Sequence, residues 1–246
     1  MRISRRIAVL TASLATAVAG ASIAGHPPAM ATTSAGTSTA TGHGGAIATE
    51  HPLATQAAID ILDAGGNAVD AAVAASAVQS VVRPFSGGLG GGGYMNIYLA
   101  GTDEFVVLDH QSVAPASFGP QSFIDASTGA VHDSDVRTSS GPAAAIPGQV
   151  KGWEQAVTEY GSGIAFGDLL EPAIEAARDG FAADENLVRE ISENAERFCF
   201  FPATAELYLE SGCAVPEPGT ILANPDLADT LELIAEEGSS VFYEGE

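Results

Sequence analysis

The sequence predicts an α/β fold of the layered α+β kind, and three observations carry that expectation. Two helical stretches between residues 52 and 82 lead, through a glycine-rich run, into an alternating strand-like segment. A hairpin signal follows, with Gly101-Thr102-Asp103 as the turn between Tyr94–Leu99 and Phe105–Asp109. Beyond Gln149 the apolar period is helical in four separate stretches. Strands bordered by helices on both sides along the chain bury their apolar faces as stacked layers around one core.

The chain opens with a positive head, Arg2, Arg5 and Arg6, and an uncharged apolar or small run from Ile7 to Ala24. Ala29-Met30-Ala31 then supplies an A-x-A cleavage signature, so residues 1–31 are expected to be a secretory signal peptide. The other reading of the run is a membrane anchor; it is near the minimum spanning length and rich in Ala, Ser, Thr and Gly. The expected location is exported: secreted, periplasmic or at the cell surface. Residues 32–45, Thr, Ser, Ala and Gly with one His, read as a flexible leader.

Folded sequence is expected over 46–246, beginning with a short strand at Ala46-Ile47-Ala48. His51-Pro52 starts a helix, because proline fits the first turn, and Ala54, Ala57, Ala58, Ile61 and Leu62 keep its period. Gly65-Gly66 stops it by allowing a left-handed end. Asn67 caps a second helix with Asp70 in its first turn. Its body, Ala68 to Val82, is almost all Ala and Val, as an interior helix with close neighbours requires. Arg83-Pro84 ends it.

After the hairpin, Thr138-Ser139-Ser140 reads as a polar loop and Ala143 to Ile146 as a further strand broken by Pro147-Gly148. Helices are then expected over Gln149–Tyr160, Asp168–Arg178, Leu187–Phe198 and Pro225–Glu237. The chain stops just after the last of these, so residues 46–246 are expected to be an incomplete domain.

Without residues 1–31 the chain carries 31 acidic against six basic residues, a net charge of −25, and Lys151 is its single lysine. Such a surface repels a phosphate backbone and an anionic bilayer, which argues against nucleic-acid and membrane partners after cleavage. It suits a protein kept soluble in concentrated salt, an expectation that an unfolding series across salt concentration checks. Cys199 and Cys213 are the two cysteines. In an exported chain they pair as a disulfide or else remain two buried thiols; the first is favoured. No C-x-x-C or H-E-x-x-H spacing exists, so no metal and no cofactor is expected.

Gly88, Gly90 and Gly93 satisfy G-x-G-x-x-G, but a dinucleotide loop must follow a strand and open a helix. Here the run follows a helix and opens a strand. No lysine stands where a phosphate-cradling loop needs one. Two roles are left: close approach of two backbones, or support of an active site.

The segments His51-Pro52-Leu53-Ala54-Thr55, Asp63 to Ala74 (D-A-G-G-N-A-V-D-A-A-V-A), Ser86 to Tyr94, Val113-Ala114-Pro115-Ala116, Ile146 to Gly152, Leu169 to Ile174 and Asp179-Gly180-Phe181 occur in this order. Together they resemble the start of the large subunit of γ-glutamyltransferases, also called glutathione hydrolases. The resemblance is good over roughly residues 46 to 185 and loose beyond. It implies part of an N-terminal-nucleophile hydrolase fold, an αββα sandwich. It also implies a precursor that cuts itself before a threonine. That hydroxyl attacks the γ-glutamyl carbonyl with its own α-amino group as base, and the acyl group passes to water, an amino acid or a peptide. Backbone N–H groups hold the oxyanion. This chain has no Thr-x-His segment of the expected kind, so no catalytic residue is assigned in it, the span alone is expected to be inert, and the C-terminal small-subunit portion is its implied partner.

In that family an arginine holding the glutamyl α-carboxylate follows the second hairpin strand, two residues past its aspartate and ahead of an Ala-Pro pair. Asp109 and Ala114-Pro115 fix the alignment, and the position holds Gln111. An arginine offers a charged bidentate fork where glutamine offers one neutral amide. Three readings remain open: Arg83 or Arg137 substitutes, another acyl group is preferred, or the site is degenerate. The last leads to the alternative function, an inactive acidic extracellular binding or scaffold protein with the same fold.

Overall fold

The computed structural model describes residues 44–244. The expected signal peptide and all but the last two residues of the expected leader lie outside them. The elements are α1 (Pro52–Asp63), α2 (Ala68–Val82), α3 (Pro84–Gly87), β1 (Gly93–Leu99), β2 (Glu104–His110), α4 (Ser134–Ser139), α5 (Gln149–Tyr160), α6 (Phe166–Asp179), β3 (Phe181–Ala182), α7 (Glu185–Phe200), α8 (Pro202–Tyr208), β4 (Ile221–Leu222), α9 (Pro225–Glu237) and α10 (Ser240–Glu244). The mixed class predicted from the sequence is the observed one.

Helix α1 begins where His51, extended at the N-cap, accepts the Leu53 N–H on Nδ1 at 3.2 Å. It ends at Gly65, whose φ of +95° lets the Gly66 N–H return to the Ile61 carbonyl at 2.9 Å. Helix α2 packs against α1, α5 and α6. Val73, Ala74, Ala77 and Val82 on it are fully buried, so its short side chains serve as the floor on which its neighbours sit close. Trp153 of α5, Leu169 and Leu170 of α6 and Leu231 of α9 complete this core.

Strands β1 and β2 pair antiparallel, with Gly93 opposite His110 and Ile97 opposite Val106. Their inner face sets Ile97 and Leu108 into the core. The second pair, β3 with β4, is only two residues long on each side.

Three expectations are corrected. Ala46–Ala48 forms no paired strand among the described residues. Nor is there a strand over 143–146: a 3-10 turn at Gly141–Ala143 is followed by a single bridge between Ile146 and Val113. Pro142 and Pro147 flank the segment, and a residue without an N–H cannot carry a ladder on. Thr138 and Ser139, expected in a loop, close the short helix α4.

Cys199, near the end of α7, is joined to Cys213, with Cα atoms 5.6 Å apart. The bridge closes a loop of about 15 residues around α8 and stabilises by roughly 3 kcal/mol in the chain-entropy model. The Cys199→Ala/Cys213→Ala pair is expected to lose about that much in urea unfolding, and a loss below about 1 kcal/mol would contradict it.

Candidate functional site

The glycine-rich run, the exit of β2 and the start of α5 converge on one peptide segment, residues 110–112. Gly91 turns the chain by donating its N–H to the Gly88 carbonyl at 2.9 Å. Its own carbonyl then accepts the Gly148 and Gln149 N–H groups at 3.0 and 3.1 Å, capping the first turn of α5. A Cβ on Gly92 would stand 2.6 Å from both the His110 carbonyl oxygen and the Ser112 nitrogen. A Cβ on Gly148 would stand 2.1 Å from the same carbonyl oxygen. Two glycines far apart in sequence thus grip the segment at one carbonyl, which is the close approach the run makes possible. Gly87 and Gly90 meet nothing within 4 Å and have no part in the grip.

Gln111 sits in the middle of this segment and is exposed. Its backbone N–H donates to Asp109 Oδ1 at 3.0 Å, and its Oε1 accepts the Ser112 N–H at 3.2 Å. The carbonyl end of the carboxamide is therefore held, and the NH2 end is left as a neutral donor.

Arg83, one of the two arginines considered as a substitute, is committed elsewhere. Its guanidinium is buried, pairs with Asp184 and donates to the Val82 carbonyl at 3.1 Å. Arg137 is exposed on α4, its Nε on the His132 carbonyl at 3.0 Å.

The Arg83–Asp184 pair joins residues 101 positions apart and leaves no signal along the chain by which sequence reasoning could find it. Asp184 also caps α7 by accepting the Leu187 N–H at 2.9 Å, and His51, its ring edge-on to Phe181, lies within the field of both charges. Burial, then the Arg83 charge, hold the His51 imidazole below its ordinary value. Burial alone would raise the Asp184 carboxyl; the Arg83 hydrogen bond, the Leu187 N–H and the charges of Arg83 and His51 outweigh it and hold it low. Both folded values are depressed, so both groups stabilise the fold above their unfolded values, and that stability is lost as pH falls through the folded ones. Acidification from the ordinary 6.5 downward is expected to destabilise the chain through His51 first and, below about 3.8, through Asp184. His51→Asn keeps a capping oxygen and removes the imidazole. Its urea midpoint should vary less between pH 5 and 6.5 than that of the parent, and an unchanged slope would refute the assignment.

Asn67 and Asp70, the polar pair of the D-A-G-G-N-A-V-D motif, form a latch. Asp70 is fully buried; it accepts the Asn67 N–H at 2.8 Å and the Ser162 N–H at 3.0 Å, while Asn67 Nδ2 donates to the Tyr160 carbonyl at 2.7 Å. The start of α2 is so fastened to the turn between α5 and α6.

Two surfaces are open. The outer face of the β1–β2 hairpin presents Tyr94, Tyr98, Phe105 and Val107, with Phe105 80% exposed. A cleft of about 550 Å³ separates residues 44–49 from α1 and α2, floored by Ala58, Leu62, Ala71 and Ala75. At its end Ser76 Oγ accepts Gln149 Nε2 at 2.8 Å and Trp153 Nε1 at 3.0 Å. Among the described residues no group of three or more His, Cys, Asp or Glu could hold a metal ion, and no helix is long and apolar enough to cross a membrane.

The family model described as gamma-glutamyltranspeptidase matches residues 54–246. A glutathione hydrolase proenzyme of Bacillus subtilis (strain 168) is 37% identical over 204 residues, covering 83% of this chain and 34% of the relative. An acylase ACY 1 proenzyme of Pseudomonas sp. (strain V22) is also 37% identical, over 210 residues, 84% of this chain and 37% of the relative. The chain thus spans about a third of the length of these curated relatives. Among solved structures, Helicobacter pylori gamma-glutamyltranspeptidase superposes with a TM-score of 0.79 at 32% identity, over 85% of this chain and 59% of that one. With the family model matched over residues 54–246 and the fold superposing on a solved member, the chain belongs to the gamma-glutamyltranspeptidase family.

Proposed function

We propose that the chain is the N-terminal part of an exported acyl-transfer enzyme of the glutathione hydrolase type, in which Gln111 meets the acyl group of the substrate. The observation that carries this is the glycine grip. Two elements far apart in sequence close on three residues and display one donor from a fixed backbone, which is how a recognition group is pre-organised. The acyl group passes from the donor amide to a nucleophilic threonine and then to water, an amino acid or a peptide. That threonine and its oxyanion donors belong to a C-terminal portion outside these 246 residues. The uncovered apolar hairpin face is the surface we assign to that portion, because an exposed sheet face of this kind needs a second layer.

A neutral carboxamide at the recognition point favours an acyl group without the glutamyl α-carboxylate. The similarity to an acylase proenzyme at the same identity as to a glutathione hydrolase supports that preference. The second reading, an inactive acidic scaffold, draws on the same Gln111.

Extending the reading frame beyond Glu246 and incubating the purified product separates them: self-cleavage on a gel supports the enzyme, and a single intact chain supports the scaffold. In the cleaved enzyme, Gln111→Arg is expected to raise kcat/KM for γ-glutamyl-p-nitroanilide about tenfold or more, the equivalent of one charge-assisted pair. No gain would remove Gln111 from the recognition site.

A further inference from the structure

We propose that His110 is the positioning residue for Gln111, and that it holds the 110–112 segment only as a neutral imidazole with Nδ1 unprotonated. Its consequence for substrate rests on the function proposed above; its geometry does not.

His110 ends β2, and its backbone is the part of the segment both glycines grip. Its ring occupies a slot made by two further glycines. A Cβ on Gly152 of α5 would stand 2.5 Å from the His110 Cβ and Cγ, and one on Gly93 of β1 would stand 3.4 Å from Cε1. The ring therefore fills space that any other residue at 152 would take, and backbone and side chain of His110 are locked together.

Nδ1 is buried and has no hydrogen-bond partner among the described residues. An atom with no exposed surface cannot be reached by anything added from outside unless the slot opens. As a bare lone pair it costs the fold little beyond desolvation; as an N–H it would have only its own backbone carbonyl nearby, outside hydrogen-bonding geometry, and a buried donor poorly made is expensive. Burial accordingly holds the imidazole below its ordinary value, against the opposing Asp109 charge and a backbone hydrogen bond. Asp109 lies on the same strand. On α5 the charged residues are Lys151, exposed, Glu154, held by Ser239, and Glu159 near its far end; β1 carries none, and its Tyr98 hydroxyl donates to Asp103. Protonation of His110 must then open the slot or expel the ring, and Gln111 moves with it.

The test is an NMR titration of the full chain from pH 7.5 to 4.5, without substrate, so that its failure leaves the proposed function standing. The Gln111 backbone and side-chain amide signals are expected to shift with the same midpoint as the His110 ring, below 6.5. His110→Phe, which fills the slot without a titrating atom, should keep the Gln111 signals at their pH 7.5 positions and abolish the shift. His110→Ala should speed Gln111 amide exchange at least tenfold at pH 7.5. Gln111 signals that do not move, that follow only the Asp109 midpoint, or that still titrate in His110→Phe would each overturn the proposal. Co-titration in the parent chain decides the matter even if a variant fails to fold.

Discussion

Replacing Asp70 by Ala is expected to cost about 3 kcal/mol of unfolding free energy, since hydrogen bonds to a carboxylate contribute about 1.5–3 kcal/mol each. The side chain is fully buried and accepts two backbone N–H groups, one from its own helix cap and one from Ser162, 92 residues away. Alanine would strand both donors, remove half of the capping box and leave a cavity facing Gly161, whose missing Cβ lets the carboxylate approach. Asp70→Asn keeps an acceptor oxygen but turns an N–H toward donors, so a smaller loss is expected. Urea unfolding of the three proteins measures this. A loss under about 1 kcal/mol for the alanine would mean that α2 is held by apolar packing alone and that the latch is incidental.

Gly92→Ala and Gly148→Ala are each expected to cost about 3 kcal/mol, the upper part of the range for overpacking. The obstacle in both is backbone, the His110 carbonyl above all, and it cannot swing aside as the end of a long side chain does. Neither glycine has a positive φ, so the cost is one of space and not of dihedral strain. The same run holds its own control: Gly90→Ala meets nothing within 4 Å and should change stability by less than about 0.5 kcal/mol. On the function proposed above, Gly148→Ala is also expected to weaken substrate recognition in the self-cleaved product, because the segment bearing Gln111 must shift. Equal behaviour of Gly90→Ala and Gly92→Ala in urea would remove the grip as the reason for the glycine run.

Much of the fold is legible in the order of the residues alone. The limits of α2, α5 and α9 are readable because their signals are local: an Asn cap at 67, a helical period from Gln149, a proline at 225 and a glycine at 238. The hairpin is legible from alternation around a turn. The short elements α3, α8, β3 and β4 are not, since two to seven residues carry too little period to stand out, and packing against neighbours holds them. The segment at 46–48 has the composition of a strand, but pairing needs a partner, and none is present among the described residues.

Of the candidate site, Gln111 is indicated by the family resemblance, which Asp109 and Ala114-Pro115 align, because motif order is kept along the chain. Neither the role of His110 nor the fate of Arg83 can. In the sequence Arg83 looks free to reach a carboxylate; in the fold its partner is Asp184, 101 residues further on. A desolvated guanidinium cannot stay unpaired, but sequence does not say which carboxylate it meets.

By itself, then, the sequence determined the helices, the hairpin, the order of the family motifs and the neutral Gln111 two residues past Asp109. Only the tertiary structure decided which glycines are indispensable, which arginine is spoken for, and why Asn67 and Asp70 occur together. The reason is physical: caps and periods act within a few residues. A 2.1 Å conflict at Gly148 or a buried ion pair at Arg83 exists only once distant segments are packed against each other.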